Sequence, residues 1–157
     1  MRWIALPLVV AVVSVACGPS AEEQAATAAA AAAAREDSLV AEAASTFDAA
    51  VFDTITWESP QARLERGQQV YTFSCSKCHG PAGTGEGGFV RGGDTLQPPS
   101  FREPDWALAG DTAGIRRAIF VGTAENMPHW GLEGLKAESV DAVTHYILAG
   151  FPAVGGS

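Results

Sequence analysis

The chain has 157 residues, 10 Lys or Arg against 18 Asp or Glu, and a formal net charge of −8. With no basic run or basic stripe, nothing in it suggests a nucleic-acid partner. Hydrophobic residues make up 47% of the sequence, but they are unevenly spread, and the length suffices for one small domain plus appended segments.

The first element is an apolar run from Trp3 to Ala16, preceded only by Arg2 and the free amine and followed by Cys17. This is the n-region, h-region and small-residue layout of a secretory signal. Its fourteen residues are too few to cross a bilayer comfortably. The segment Ser14, Val15, Ala16, Cys17 resembles a bacterial lipobox, with Ser14 where leucine is favoured. The resemblance implies a signal peptide over 1–16 and lipidation of Cys17 as the first mature residue. Ordinary secretion and an uncleaved anchor are the alternatives, and all three routes export the remainder of the chain.

From Ser20 to about Pro60 the chain is alanine-rich, with an unbroken run from Ala28 to Ala34, and eight acidic residues stand against Arg35 as the one base. Such a stretch lacks apolar material for a core of its own and reads as a spacer, coiled or helical, over 17–60. Within it Val40, Ala43, Ala44, Phe47 and Val51 recur at helical spacing, which predicts an amphipathic helix over 38–52. Its apolar stripe is expected to pack on its own domain or, as the second choice, to dock a partner subunit.

Residues 61–157 hold ten acids and eight bases, so the acidity belongs mainly to the spacer. A first helix is predicted from about Pro60 to Ser74, with proline in the first turn, where a missing N–H costs nothing. It runs into Cys75, Ser76, Lys77, Cys78, His79. Two thiols three positions apart followed at once by an imidazole form the attachment pattern of a c-type haem. In a helical turn residues i and i+3 share a side, so both sulfurs can reach one porphyrin edge and form thioethers, while His79 offers a neutral nitrogen to the iron. A partial zinc site would need further ligands at suitable spacing, and a redox-active thiol pair would need a βαβ context; neither is visible.

The loop from Gly80 to Gly93 contains seven glycines, and Gly83, Gly85 and Gly88 satisfy GxGxxG. It neither follows a strand nor opens a helix, so dinucleotide geometry is absent; tight turning and close passage by a haem are the expectation. A second helix is predicted from about Thr112 to Val121, capped by Asp111 and stopped by Gly122. A last one is predicted from about Ala137 to Ala149, ended by Gly150. Between them stands Met127, the one thioether remaining once Met1 is lost with the signal, in the loop Glu125, Asn126, Met127, Pro128. A methionine outside an apolar stripe is a poor core filler. His129 and His145 are rival ligands, better read as surface or hydrogen-bonding histidines. Arg91, Arg102, Arg116 and Arg117 could offset haem propionates, and Trp106 or Trp130 could donate to one, but adjacent arginines on a helix are more often simply solvated and none is named as a site. Phe73, Phe89, Phe101 and Phe120 read as core and haem-packing residues.

Taken together, residues 61–157 resemble class I cytochrome c: a helix with Gly67 and Tyr71, CSKCHG, a glycine-rich loop, Pro98 and Pro99, a Met-Pro loop, and a final helix bearing Tyr146. The resemblance implies an all-α fold of three main helices around one covalent haem, with the first and last helices crossing at a small residue and aromatics. It implies Met127 as the axial partner of His79, and a carbonyl from the Gln97–Pro99 segment orienting the imidazole. The Met-Pro-His-Trp segment also resembles small haem domains of respiratory oxidases and oxidoreductases. The expectation is an electron carrier, not an enzyme, held to a membrane by its lipid. It would meet redox partner proteins in or near that membrane on the extracytoplasmic or periplasmic side, with no small-molecule substrate. A fixed subunit of a respiratory or dehydrogenase complex is the alternative, and a haem enzyme or gas sensor with an exchangeable ligand a more distant one.

Overall fold

The computed structural model describes residues 18–91, 93–124 and 126–154, with the side chain of Arg91 left aside. The signal segment and Cys17 lie outside the described residues.

The alanine-rich part of the spacer is one helix, α1, Ala21–Thr46. Alanine is the best helix former, and Ser20 and Glu23 close a reciprocal cap at its start: Ser20 N–H donates to the Glu23 carboxylate at 2.7 Å and Glu23 N–H to Ser20 Oγ at 3.2 Å. These bonds stabilise the carboxylate and hold Glu23 below its ordinary pKa. At 1.5 Å per residue α1 is about 39 Å long. Its first half stands exposed; near its end Ala43 is fully buried and the helix packs on α4. The amphipathic stretch expected over 38–52 is therefore in two pieces. Phe47 leaves helical geometry at φ −70°, ψ 116°, Asp48 caps a new start, and Ala49–Thr54 forms a 3₁₀ turn. The break lets Phe47 turn its ring edge-on to Phe120 at 5.4 Å while Phe52 is buried behind it at 5.9 Å. Packing on the domain outweighs continuity of the helix.

Helix α2, Pro60–Val70, starts at Ser59, whose hydroxyl accepts from Ala62 N–H at 3.0 Å. It passes through a π-helical turn, Tyr71–Cys75, into the short α3, Ser76–His79. A two-residue antiparallel ribbon comes next, β1 Val90–Arg91 with β2 Asp94–Thr95. Then come α4, Thr112–Val121, capped by Asp111 through Gly114 N–H at 2.8 Å, and α5, Ala137–Leu148.

Helix α5 is the hub, with Val140, Ala142, Val143 and Thr144 wholly excluded from water. It crosses α2 at Gly67, where any Cβ would stand 2.6 Å from Tyr146 Cβ. Tyr71 and Tyr146 meet there at 5.8 Å, and both rings also contact Phe151. On the opposite side of α5 the carboxylate of Asp141, only 3% exposed, gathers Trp57 Nε1 at 2.8 Å, the Arg116 guanidinium and His145 Nε2 at 3.5 Å. Arg116 in turn covers Phe52 at 4.9 Å. The cluster ties the segment before α2 to both α4 and α5. Mostly helical, with almost no strand, this is the architecture of the class I cytochrome c fold.

Candidate functional site

The π-helical turn sets up the site. Ser76 N–H reaches back five residues to Tyr71 O, a wide turn of the kind frequent at functional sites, and it delivers Cys75 to the inside. Tyr71 donates from its hydroxyl to Gly80 O at 2.7 Å, fixing the turn after His79. Burial pushes the Tyr71 phenol upward, with the neighbouring Cys75 adding to the rise.

Cys75, Cys78 and His79 line a cavity of about 440 Å³, and Asn126, Met127 and Pro128 line the same cavity. Ile115, Ala118 and Ile119 of α4 and Ile147 of α5 supply apolar wall, and Trp106 and Trp130 also border it. The volume is that of a small-molecule or cofactor pocket. Neither Cys75 nor Cys78 is in a disulfide. Burial pushes the Cys75 thiol up to about 12, with Cys78 contributing further, so it is a protonated thiol at neutral pH.

His79 is buried, its ring stacked on Phe101 at 4.5 Å. Burial lowers its pKa to about 4, so the imidazole is neutral and carries a lone pair suited to a metal. Its Nδ1 is buried without a hydrogen-bond partner among the described residues. Neither Gln97 nor the two prolines hold that nitrogen, and the Pro98 carbonyl lies against Gly85 instead. Buried polar atoms left unpaired carry a cost. An imidazole with an orphaned nitrogen, two free thiols and a thioether around one apolar cavity is a donor set that fits a covalently held haem. A zinc ion fits less well: among the described residues no group of three or more His, Cys, Asp or Glu converges as a metal cluster.

The methionine loop is held from both ends. Met127 N–H donates to Thr123 Oγ1 at 3.2 Å and Thr123 N–H donates to Met127 O at 3.1 Å. Gly122, at φ +72°, lies so close beneath that a Cβ would stand 2.6 Å from the carbonyl oxygens of Met127 and Pro128. His129 is aimed elsewhere. Its Nδ1 donates to Val121 O at 2.6 Å, at the C-terminal end of α4, and its Nε2 stands 3.4 Å from the Glu36 carboxylate of α1. Neither His129 nor His145 lines the cavity.

Two sequence expectations shift. Phe73, read as core, is 92% exposed. Phe89 lies under the Lys77 ammonium at 4.2 Å, away from the cavity. The glycines of the 80–93 loop turn the backbone tightly as expected, Gly80, Gly83, Gly85, Gly88 and Gly93 all having positive φ; Gly83 lies against Phe151 and Phe101, and Gly87 passes over the carbonyls that end α3. Of the arginines, Arg102 donates to Ala82 O at 2.7 Å and covers Phe151 at 5.2 Å, Arg116 belongs to the Asp141 cluster, and Arg117 is exposed. Thr123 was missed by sequence reasoning; its hydroxyl four residues before Met127 is the signal that would have found it.

The profile of the family described as cytochrome c oxidase, cbb3-type, subunit III matches residues 62–147, more than half of the chain. Among curated proteins the chain is similar to the cbb3-type cytochrome c oxidase subunit CcoP of Azospirillum sp. (strain B510), 28% identical over 90 residues, which is 56% of this chain and 30% of that protein. It is also similar to the CcoP subunit of Rubrivivax gelatinosus, 28% identical over 92 residues, 59% of this chain and 27% of that protein. The matched stretch thus spans less than a third of those relatives. No solved structure matches it significantly. The chain belongs to the cbb3-type cytochrome c oxidase subunit III family, and its matched region is a monohaem class I-type cytochrome c domain.

Proposed function

We propose that the protein is a one-electron carrier with a single haem c, attached through thioethers at Cys75 and Cys78 and ligated axially by His79 and Met127. The observation that carries this reading is the convergence of these four side chains on one apolar cavity. Haem c, once in place, supplies a one-electron couple, and His/Met ligation raises its potential. The protein's own residues do the rest. The Thr123 and Gly122 contacts hold Met127 at the cavity, burial keeps His79 neutral, and the isoleucines and tryptophans keep water from it. With His79 and Met127 both holding it, the iron would have no position left for a substrate.

The domain is tethered by a lipid on Cys17 and works on the extracytoplasmic side of a bacterial membrane, exchanging electrons with membrane-associated redox proteins. Among the described residues no helix is long and apolar enough to cross a membrane. The test is haem retained through denaturation in the wild type and lost from the double variant Cys75→Ala/Cys78→Ala, together with release of Cys17→Ser from the membrane fraction. Wild-type haem that extracts freely would contradict the covalent assignment.

A second reading, a fixed subunit of an oxidase, is favoured by the names of both relatives. The face of α1 near Ala43 and Phe47 already packs on its own domain, so such an assembly would use another surface. Stoichiometric co-purification with an oxidase from detergent-solubilised membranes decides between the two.

A further inference from the structure

Phe73 is the most exposed large apolar residue among those described, at 92%, ahead of Val90 and Val51. It stands two residues before Cys75, in the π-helical turn that delivers the first thiol. Beside it is a groove of about 480 Å³ whose apolar lining is Val70, Phe73, Trp130 and Leu135, with Arg66, Gln69, Ser74 and Glu133 as its polar lining. Ser74 and Trp130 line both this groove and the cavity that holds the four candidate haem residues. The groove and the site therefore share a wall.

We propose that this groove is the docking site of the redox partner, and that the partner is a protein presenting an apolar, weakly charged surface to Phe73. The proposal rests on the electron-carrier reading. An electron leaves the domain only where a partner comes close to the macrocycle, and the groove is continuous with the wall beside the attachment cysteines. Its chemistry points to the kind of partner. One arginine and one glutamate border it, so it offers no net charge, and residues 61–157 as a whole are nearly balanced. Electrostatic steering to this groove needs an excess of one sign around it; its own border supplies none, and the excess acid of the chain lies on the 20–60 segment. What remains is an exposed aromatic over apolar neighbours, the composition found at the centre of protein interfaces and not at their rims. A bilayer is a poorer occupant, because one phenylalanine without a basic cluster lacks the features of a membrane-surface anchor.

The test uses the purified full-chain holoprotein, reduced, as wild type, Phe73→Ser and Phe73→Leu. Each is oxidised in stopped flow by membrane vesicles from the cells that make the protein, and separately by ferricyanide. Phe73→Ser is expected to lower the second-order rate with vesicles by at least about tenfold, as loss of an interface hot spot does, and Phe73→Leu to restore most of it. Ferricyanide rates stay within about twofold throughout, and the vesicle rate changes little between roughly 50 and 500 mM salt. Equal vesicle rates for wild type and Phe73→Ser overturn the proposal, as does a steep fall of the wild-type rate with salt. Phe73-dependent binding to protein-free phosphatidylcholine vesicles would make lipid the occupant. A wild-type dimer that Phe73→Ser dissociates would make it a second copy. Either overturns the proposal as well. A holoprotein that ferricyanide cannot oxidise sinks the electron-carrier reading itself, a failure visible without any Phe73 variant.

Discussion

Gly67→Ala is the most direct probe of how the domain is closed around its site. Glycine lies in the interior of α2, where replacement by alanine ordinarily stabilises a helix by about 1 kcal/mol. Here the added methyl would overlap the carbonyl oxygen of Ala142 and stand 2.9 Å from its carbon and 2.6 Å from Tyr146 Cβ. None of these atoms can rotate aside. Ala142 and Tyr146 are one turn apart on α5, so the glycine sits in a notch of backbone and Cβ atoms, and relief requires the two helices to separate. Overpacking of this kind costs about 1–3 kcal/mol. With unyielding obstacles the upper end applies, and subtracting the helix-propensity gain leaves a net loss of about 2 kcal/mol. For a domain near 100 residues that is a fall in Tm of roughly 8–16 °C. Guanidinium unfolding of the holoprotein, followed by tryptophan fluorescence and by haem absorbance, measures it. A Gly67→Ala protein as stable as the wild type, or more stable, would mean that α2 and α5 do not meet at Gly67.

Three further outcomes are expected from the same geometry. Asp141→Asn leaves the Arg116 guanidinium without its counter-charge, and the expected loss in denaturant unfolding is about 2–3 kcal/mol, below that of a fully buried pair because the Arg116 side chain keeps 20% of its surface in water. His145 is held below its ordinary pKa of 6.5 by burial first and then by Arg63, with Arg116 adding to them and Asp141 opposing. Below pH 6.5 the unfolded chain therefore binds a proton that the folded one resists, so stability is present above that pH and is lost as pH falls towards the folded value; His145→Gln is expected to flatten that slope in Tm measured against pH. Gly122→Ala forces a side chain into φ +72°, ψ −162° against the carbonyls of Met127 and Pro128, at a cost of about 1–3 kcal/mol for the backbone alone, and is expected to loosen Met127 enough for ferrous protein to bind carbon monoxide partially.

The helices of the domain were legible because their signals are local. Asp111 and Gly122 bracket α4 as the sequence suggests, and Pro60 opens α2. The cytochrome c domain was equally legible, since few uses exist for the spacing of Cys75, Cys78 and His79, and the family match covers it; Met127 does line the same cavity as those three residues. Long-range contacts were not. Nothing around Phe47 announces that its ring turns towards Phe120, so the break in the expected 38–52 helix was invisible. Asp141 gathers Trp57 from 84 residues away, and in the sequence it is only one acid on a helix. Phe73 was misplaced because aromatics are buried on average, whereas its position in the wide turn before Cys75 faces outward. His129 was read correctly as a hydrogen-bonding residue in kind, but its partners, Val121 O and Glu36, emerge only in three dimensions.

The central claim of the proposal is that His79 and Met127 would together hold the iron. Addition of carbon monoxide to the dithionite-reduced holoprotein, with Met127→Ala in parallel, tests it most directly. The account predicts an unchanged absorption spectrum for the wild type and an immediate shift for the variant, whose iron has lost its sixth ligand. A wild-type protein that binds carbon monoxide as readily as Met127→Ala would contradict it and move an open, ligand-binding iron to the front.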